Sequence, residues 1–90
     1  MKKYSVYIVE CKDGTLYTGI SNDVVKRVKN HNNGSGAKYT KTRLPVTLIY
    51  EMVCGDKSEA LKIEYKIKQL SRSEKLNLCL KQCLPTDVSM

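Results

Sequence analysis

The sequence predicts an α+β fold, a small three-stranded sheet with helices packed against it in the order β-β-α-β-α-α. Three observations lead there. Two short runs rich in β-branched and aromatic residues, 4–9 and 15–20, meet across Lys12-Asp13-Gly14, a hairpin signal. A third such run, residues 46–53, follows a long polar stretch. Each remaining stretch with helical spacing opens on a capping residue: Asn22, Asp56 and Ser71 or Ser73. Ninety residues make one domain, read as residues 1–84, with 85–90 as a frayed tail after Pro85.

Loop length decides what the hairpin does with Tyr7 and Tyr17. A two-residue Asp13-Gly14 turn would set Glu10 opposite Tyr17 and send Tyr7 to the other face, because side chains alternate with period two. A three-residue Lys12-Asp13-Gly14 loop, with Gly14 left-handed in a bulge, sets Val9 opposite Tyr17. Tyr7 then lies diagonally from Tyr17 on the same face. The three-residue loop is preferred, because the other strong signals make sense around paired tyrosines.

Asn22 is read as the cap of a helix over residues 23–32, with Asp23 in its first turn and Val24, Val25 and Val28 as its apolar face. Arg27 and His31 are four apart, so both can reach one ligand; a surface Arg and a surface His are the plainer alternative. Residues 33–36 read as a turn-rich loop. In 37–43, Lys38, Lys41 and Arg43 alternate with hydroxyls around Tyr39. Cations and hydroxyls bond phosphate oxygens and a ring stacks on a base, so this segment reads as a mobile strand-guiding loop, or else a plain connector. The nearly continuous apolar run 46–53 reads as a central strand buried on both faces.

Asp56, with Glu59 three residues on, predicts a capping box and a helix over 57–70. Ala60, Ile63, Ile67 and Leu70 form its buried stripe, and Glu64 borders that stripe. A carboxylate there is partly desolvated, which costs free energy unless it is paired or holds a metal. The alternative is an i, i+4 pair with Lys68, worth only about 0.3–0.5 kcal/mol. The last helix is expected to turn Leu76 and Leu80 inward, along with Cys79 and Cys83, and to stop at Pro85.

Formal net charge is +7. Between residues 22 and 50, Lys26, Arg27, Lys29, Lys38, Lys41 and Arg43 face Asp23 alone, a local balance of +5. Such a patch suits a polyanion, most simply a nucleic-acid backbone; a solvated surface is the other reading. The four cysteines form no CxxC pair and the single His is distant in sequence, which argues against zinc. The expectation is a cytoplasmic protein with reduced thiols, no leader and no membrane partner.

Ser5-Val6-Tyr7 and, ten residues later, Tyr17-Thr18-Gly19 resemble the two halves of the GIY-YIG nuclease motif. With Arg27, His31 and Glu64 the resemblance covers nearly all of residues 3–75, and the chain is similar to the small stand-alone bacterial YhbQ-like branch. Ser5 replaces the first Gly, Val6 and Thr18 replace the Ile positions, and Ile20 stands where some repair-type members carry Lys. The resemblance implies a metal-dependent DNA endonuclease of DNA repair or processing, with Tyr7, Tyr17, Arg27, His31 and Glu64 as catalytic residues. Glu64 would hold one weakly bound Mg²⁺ or Mn²⁺ and Arg27 would clamp a phosphate oxygen. Tyr17 would be the base or position the water, Tyr7 would orient the water, and His31 would relay the proton or be the base itself. Lys26, Lys38, Tyr39, Lys41 and Arg43 would contact the nucleic acid. DNA is the expected substrate, with RNA left open and a protein partner supplying specificity. Two other readings compete: a nucleic-acid-binding module with little cleavage, and a basic adaptor. All five catalytic residues are expected in one shallow cleft.

Overall fold

Gly14 takes φ +86°, a left-handed conformation that suits glycine. Around it, Gly14 N–H donates to Cys11 O and Cys11 N–H donates to Thr15 O, closing the three-residue loop the sequence favours. The computed structural model describes residues 3–36 and 38–83, and for 38, 39 and 81–83 the backbone alone. The loop joins β1 (Ser5–Glu10) to β2 (Leu16–Ser21) in antiparallel register, with Val9 opposite Tyr17 and Tyr7 opposite Gly19. Then follow α1 (Val24–Asn32), the single turn α2 (Lys38–Lys41), β3 (Thr47–Val53), α3 (Lys57–Lys68) and α4 (Arg72–Cys83). The β-β-α-β-α-α order therefore holds, with one helical turn added before β3. Pro85 and the tail lie outside the described residues.

The sheet order is β2-β1-β3, so β1 is central and β3 is an edge. That corrects the placement of residues 46–53. In β1 the five residues Ser5–Val9 are all buried, whereas β3 is exposed at Thr47 and from Glu51 to Val53. A bulge explains the misleading apolar run. Ile8 pairs with Tyr50 and Val9 with Leu48, so Ile49 is an extra residue. It joins Tyr50 on one face while Leu48 turns to the other. Three adjacent apolar residues thus serve two faces without the strand being central.

Two clusters sandwich the sheet. Val6, Ile8 and Tyr50 pack with Cys54, Ala60, Ile67 and Cys79 beneath α3 and α4. Tyr7, Val9 and Cys11 pack with Val24 and Val46 beneath α1. Full burial of an aliphatic side chain contributes about 1.5–3 kcal/mol, so these few residues carry most of the fold's stability. Cys11, Cys54 and Cys79 are free thiols, divided between the clusters.

Caps and staples position the helices. Asp23, not Asn22, caps α1, its carboxylate accepting from Lys26 N–H. Val25 is 66% exposed, because it points away from the face on which Val24 and Val28, four apart, pack. The Asn32 side-chain amide pairs with both backbone groups of Val46 (2.7 and 3.1 Å), fastening the end of α1 to the approach of β3. Asp56 caps α3 through Glu59 N–H, and α3 ends at Lys68, two residues before the expected end. Ser71 and Glu74 form a complete capping box on α4. Arg72 donates twice to Gly14 O, tying α4 to the hairpin tip. Cys79 packs inward as expected, whereas Leu80 is 54% exposed; the Cys83 side chain lies outside the described atoms.

Candidate active site

The hairpin register places Tyr7 and Tyr17 on one face, ring centroids 6.5 Å apart and tilted by 50°. Gly19, opposite Tyr7, makes the pairing possible. A Cβ there would sit 2.7 Å from the Tyr7 hydroxyl oxygen and 3.1 Å from Tyr17 Cε2. The glycine of Tyr17-Thr18-Gly19 is thus required by the two rings.

From α1, Arg27 and His31 descend onto these rings. The Arg27 guanidinium lies near the Tyr7 hydroxyl, close enough to act on it. The same hydroxyl lies 2.9 Å from His31 Nε2. The His31 ring stands edge-on to both tyrosines, at 6.0 Å from Tyr7 and 5.5 Å from Tyr17. Burial pushes the Tyr7 hydroxyl above the ordinary phenol value; Arg27 pulls against this by its bond and its charge, and Tyr17 and Glu64 add to the rise. Burial, then the charge of Arg27, depresses His31, so its imidazole is neutral at pH 7.

One shallow cleft does not hold all five residues. Tyr7 is 1% exposed and His31 is 0% exposed. Neither side chain therefore lines an open surface. Tyr17 and Arg27 are half-buried at the surface of the site. Arg27 and Lys26 open onto a polar depression of about 230 Å³ shared with Ser21, Asn22, Asp23 and Asn30. Glu64 reaches the site from α3, close enough for its charge to act on Tyr7. Its side chain is 16% exposed and pairs with Lys68 at 3.3 Å, so the i, i+4 pair is formed by a largely buried carboxylate.

The segment read as a mobile strand-guiding loop is partly the helical turn α2, and its central residue was missed. Thr40 is 0% exposed, with Oγ1 2.8 Å from His31 Nδ1. Gly36 lets this turn close over the ring, since a Cβ there would lie 2.7 Å from His31 Cα. Hydroxyl alternation was visible in residues 38–43, but nothing in it singled out Thr40. Lys41 is exposed, and Arg43 pairs with Asp13 at 3.1 Å across the hairpin tip. The side chains of Lys38 and Tyr39 lie outside the described atoms.

Among the described residues no three His, Cys, Asp or Glu side chains converge as a metal cage. A hydrated Mg²⁺ or Mn²⁺ needs no such cage, because it keeps several waters and binds through one or two carboxylates plus substrate phosphates. The partly desolvated Glu64 fits such an ion. Among the same residues no helix is long and apolar enough to cross a membrane.

Residues 3–77 match the GIY-YIG catalytic domain. The chain belongs to the GIY-YIG family. It is 59% identical over 78 residues to the UPF0213 protein of Staphylococcus saprophyticus, covering 87% of this chain and 95% of that one. The solution NMR structure of the UPF0213 protein from Bacillus halodurans is 42% identical, with a TM-score of 0.59 over 98% of this chain and 94% of that one. The solution NMR structure of an E. faecalis protein is 31% identical, with a TM-score of 0.60 over 92% and 90%. These relatives are small stand-alone members of the family, whose catalytic domain is that of endonucleases acting on nucleic acids.

Proposed function

We propose that this GIY-YIG protein is a divalent-cation-dependent DNA endonuclease of DNA repair or processing, acting in the cytoplasm, with residues 1–84 as its single nuclease domain. The observation that carries the reading is the close approach of Tyr7 and Tyr17 over Gly19, with Arg27 beside Tyr7 and the charge of Glu64 felt there. Arg27 presents a planar donor fork suited to a non-bridging phosphate oxygen. Tyr17, the more exposed phenol, orients the attacking water and takes its proton as a general base. His31 is too deeply buried to meet that water; it holds Tyr7, and Tyr7 holds Arg27 in place. Glu64 would hold Mg²⁺ or Mn²⁺, which when bound supplies positive charge to the phosphate and the leaving oxygen. Lys26 and Lys41, both exposed, would carry backbone contacts, with Lys38, Tyr39 and Arg43 extending them and a protein partner supplying specificity.

The test is cleavage of branched, nicked and single-stranded DNA, and of RNA, with and without Mg²⁺ or Mn²⁺, by wild type and Glu64→Gln. Wild type is expected to cut only with the metal. Glu64→Gln is expected to lose orders of magnitude in rate while staying folded and binding DNA in chelator. The Glu64–Lys68 pair favours a second reading, a nucleic-acid-binding module. A wild type that binds and never cuts would establish that reading instead.

A further inference from the structure

The Tyr7 hydroxyl lies 2.9 Å from His31 Nε2 and within reach of the Arg27 guanidinium, two groups with different capacities. Arg27 can only donate, so toward it the Tyr7 oxygen is an acceptor. The phenolic proton is retained at neutral pH and needs an acceptor. His31 Nε2, at 2.9 Å, is placed to accept it. In a neutral imidazole one nitrogen carries the proton and the other does not. If Nε2 accepts, Nδ1 carries the hydrogen and points it at Thr40 Oγ1, 2.8 Å away. Both bonds then run inward, Tyr7 to His31 and His31 to Thr40, with the Arg27 guanidinium on the outer side of Tyr7.

We propose that Thr40 is a positioning residue whose hydroxyl oxygen accepts from His31 Nδ1–H and so holds Nε2 as the acceptor that aligns Tyr7 and, through it, Arg27. Several features are explained together. Thr40 is polar yet 0% exposed, which is costly without a specific bond. Gly36 permits the close approach of the chain to His31 that seats α2 above the ring. The inward order of the bonds leaves the Tyr7 oxygen turned as an acceptor toward Arg27, which lines the polar depression. Only the predicted effect on rate rests on the nuclease reading; the tautomer does not.

The chain has one histidine, so its imidazole can be read without assignment. The experiment is a long-range proton–nitrogen correlation spectrum of ¹⁵N-histidine-labelled protein at neutral pH, alongside cleavage rates, for wild type, Thr40→Val and Thr40→Ser. Wild type is expected to show the Nδ1–H tautomer. Thr40→Val keeps the shape and removes the acceptor, so the proton should redistribute toward Nε2 and cleavage should slow about tenfold or more, as when other histidine-orienting partners are removed. Thr40→Ser should restore both the tautomer and the rate. A wild-type spectrum with the proton on Nε2 would overturn the proposal. So would Thr40→Val that keeps the Nδ1–H pattern, or Thr40→Ser no better than Thr40→Val. Should Thr40→Val not fold, the wild-type and Thr40→Ser spectra still decide the matter. If the tautomer is as stated and no variant or wild type cuts DNA, the nuclease reading fails alone.

Discussion

On one face of β1, Val6 and Ile8 meet Ala60, Ile67, Tyr50, Cys54 and Cys79. On the other, Tyr7 and Val9 meet Val24 and Val46, and Tyr7 also meets His31, which bonds Thr40. Both faces are buried and both come from alternate residues of one six-residue strand. They differ in what holds them. The α3/α4 face is a dispersion-packed core of apolar groups, indifferent to small rotations. The α1 face contains a directional chain of hydrogen bonds in which each group must point one way. The comparison teaches that the period of two in a central strand divides labour: one set of side chains supplies stability, the other fixes the geometry of a site.

That division predicts which variants lose stability and which lose activity. The largest stability effect belongs to the apolar face. Ile67 is 6% exposed, and Ile67→Ala should cost about 2–5 kcal/mol from lost transfer free energy and the cavity left behind. Its activity per folded molecule should be unchanged. Tyr17→Phe on the opposite face should do the reverse, removing cleavage with less than about 1 kcal/mol lost, the worth of a typical single hydrogen bond. Urea denaturation and single-turnover cleavage on both variants would check this. Loss of cleavage per folded Ile67→Ala molecule would break the comparison.

A smaller effect sharpens it. On the apolar face Thr18 is a misfit: it is 2% exposed, and its Oγ1 has no hydrogen-bond partner among the described residues. Such an orphan costs about 1–3 kcal/mol. Thr18→Val keeps the shape and removes the hydroxyl, so it should stabilise by about 1 kcal/mol and raise Tm by about 4–8 °C with cleavage intact. A lower Tm would mean that this face, too, depends on polar contacts.

The polar face should also be the one that feels mild acid. Burial and Arg27 hold His31 below its ordinary 6.5, so its folded value lies beneath its unfolded value. Between the two the unfolded chain binds more protons, and stability there rises with pH. The contribution is fully present above about pH 6.5 and is lost as pH falls toward the folded value. Asp13, lowered chiefly by its bonds to Thr15 and then by Arg43, adds its own loss only below the ordinary carboxylate value of 3.8. Unfolding free energy followed down from pH 7 should therefore decline in wild type and stay flat over the first unit or so in His31→Gln. An equal decline in both would place the responsible group elsewhere.

How much of this was legible in the chain follows from the same contrast. The hairpin register could be read because Asp13-Gly14 and the alternation of β1 are local signals. The border position of Glu64 could be read because helical spacing alone fixes it. The burial of His31 could not, since it depends on Gly36 and Thr40 lying against it, a contact between segments with no shared period. Thr40 gains its meaning only from that contact. The edge position of β3 was hidden by its bulge, where an extra Ile49 mimics the continuous apolar pattern of a central strand.

The smallest expected effect concerns Glu64, which belongs to neither face and stands where they meet. Its partner Lys68 is 51% exposed, and such an i, i+4 pair on a helix contributes only about 0.3–0.5 kcal/mol. Lys68→Met keeps the side-chain length and the helix propensity and removes the charge. Stability should change by no more than those few tenths. The informative quantity is the metal requirement. An ammonium 3.3 Å from a carboxylate competes with any divalent cation for the same oxygens. Two charges about 4 Å apart in water interact by about 1 kcal/mol, so removing Lys68 should lower the half-saturating Mn²⁺ concentration for cleavage by about two- to fivefold. The shift should shrink as salt is raised, because both groups are partly open to solvent. If the requirement is unchanged, the cation does not sit on Glu64. If it rises, Lys68 is itself a contact to the phosphate rather than a competitor for the carboxylate.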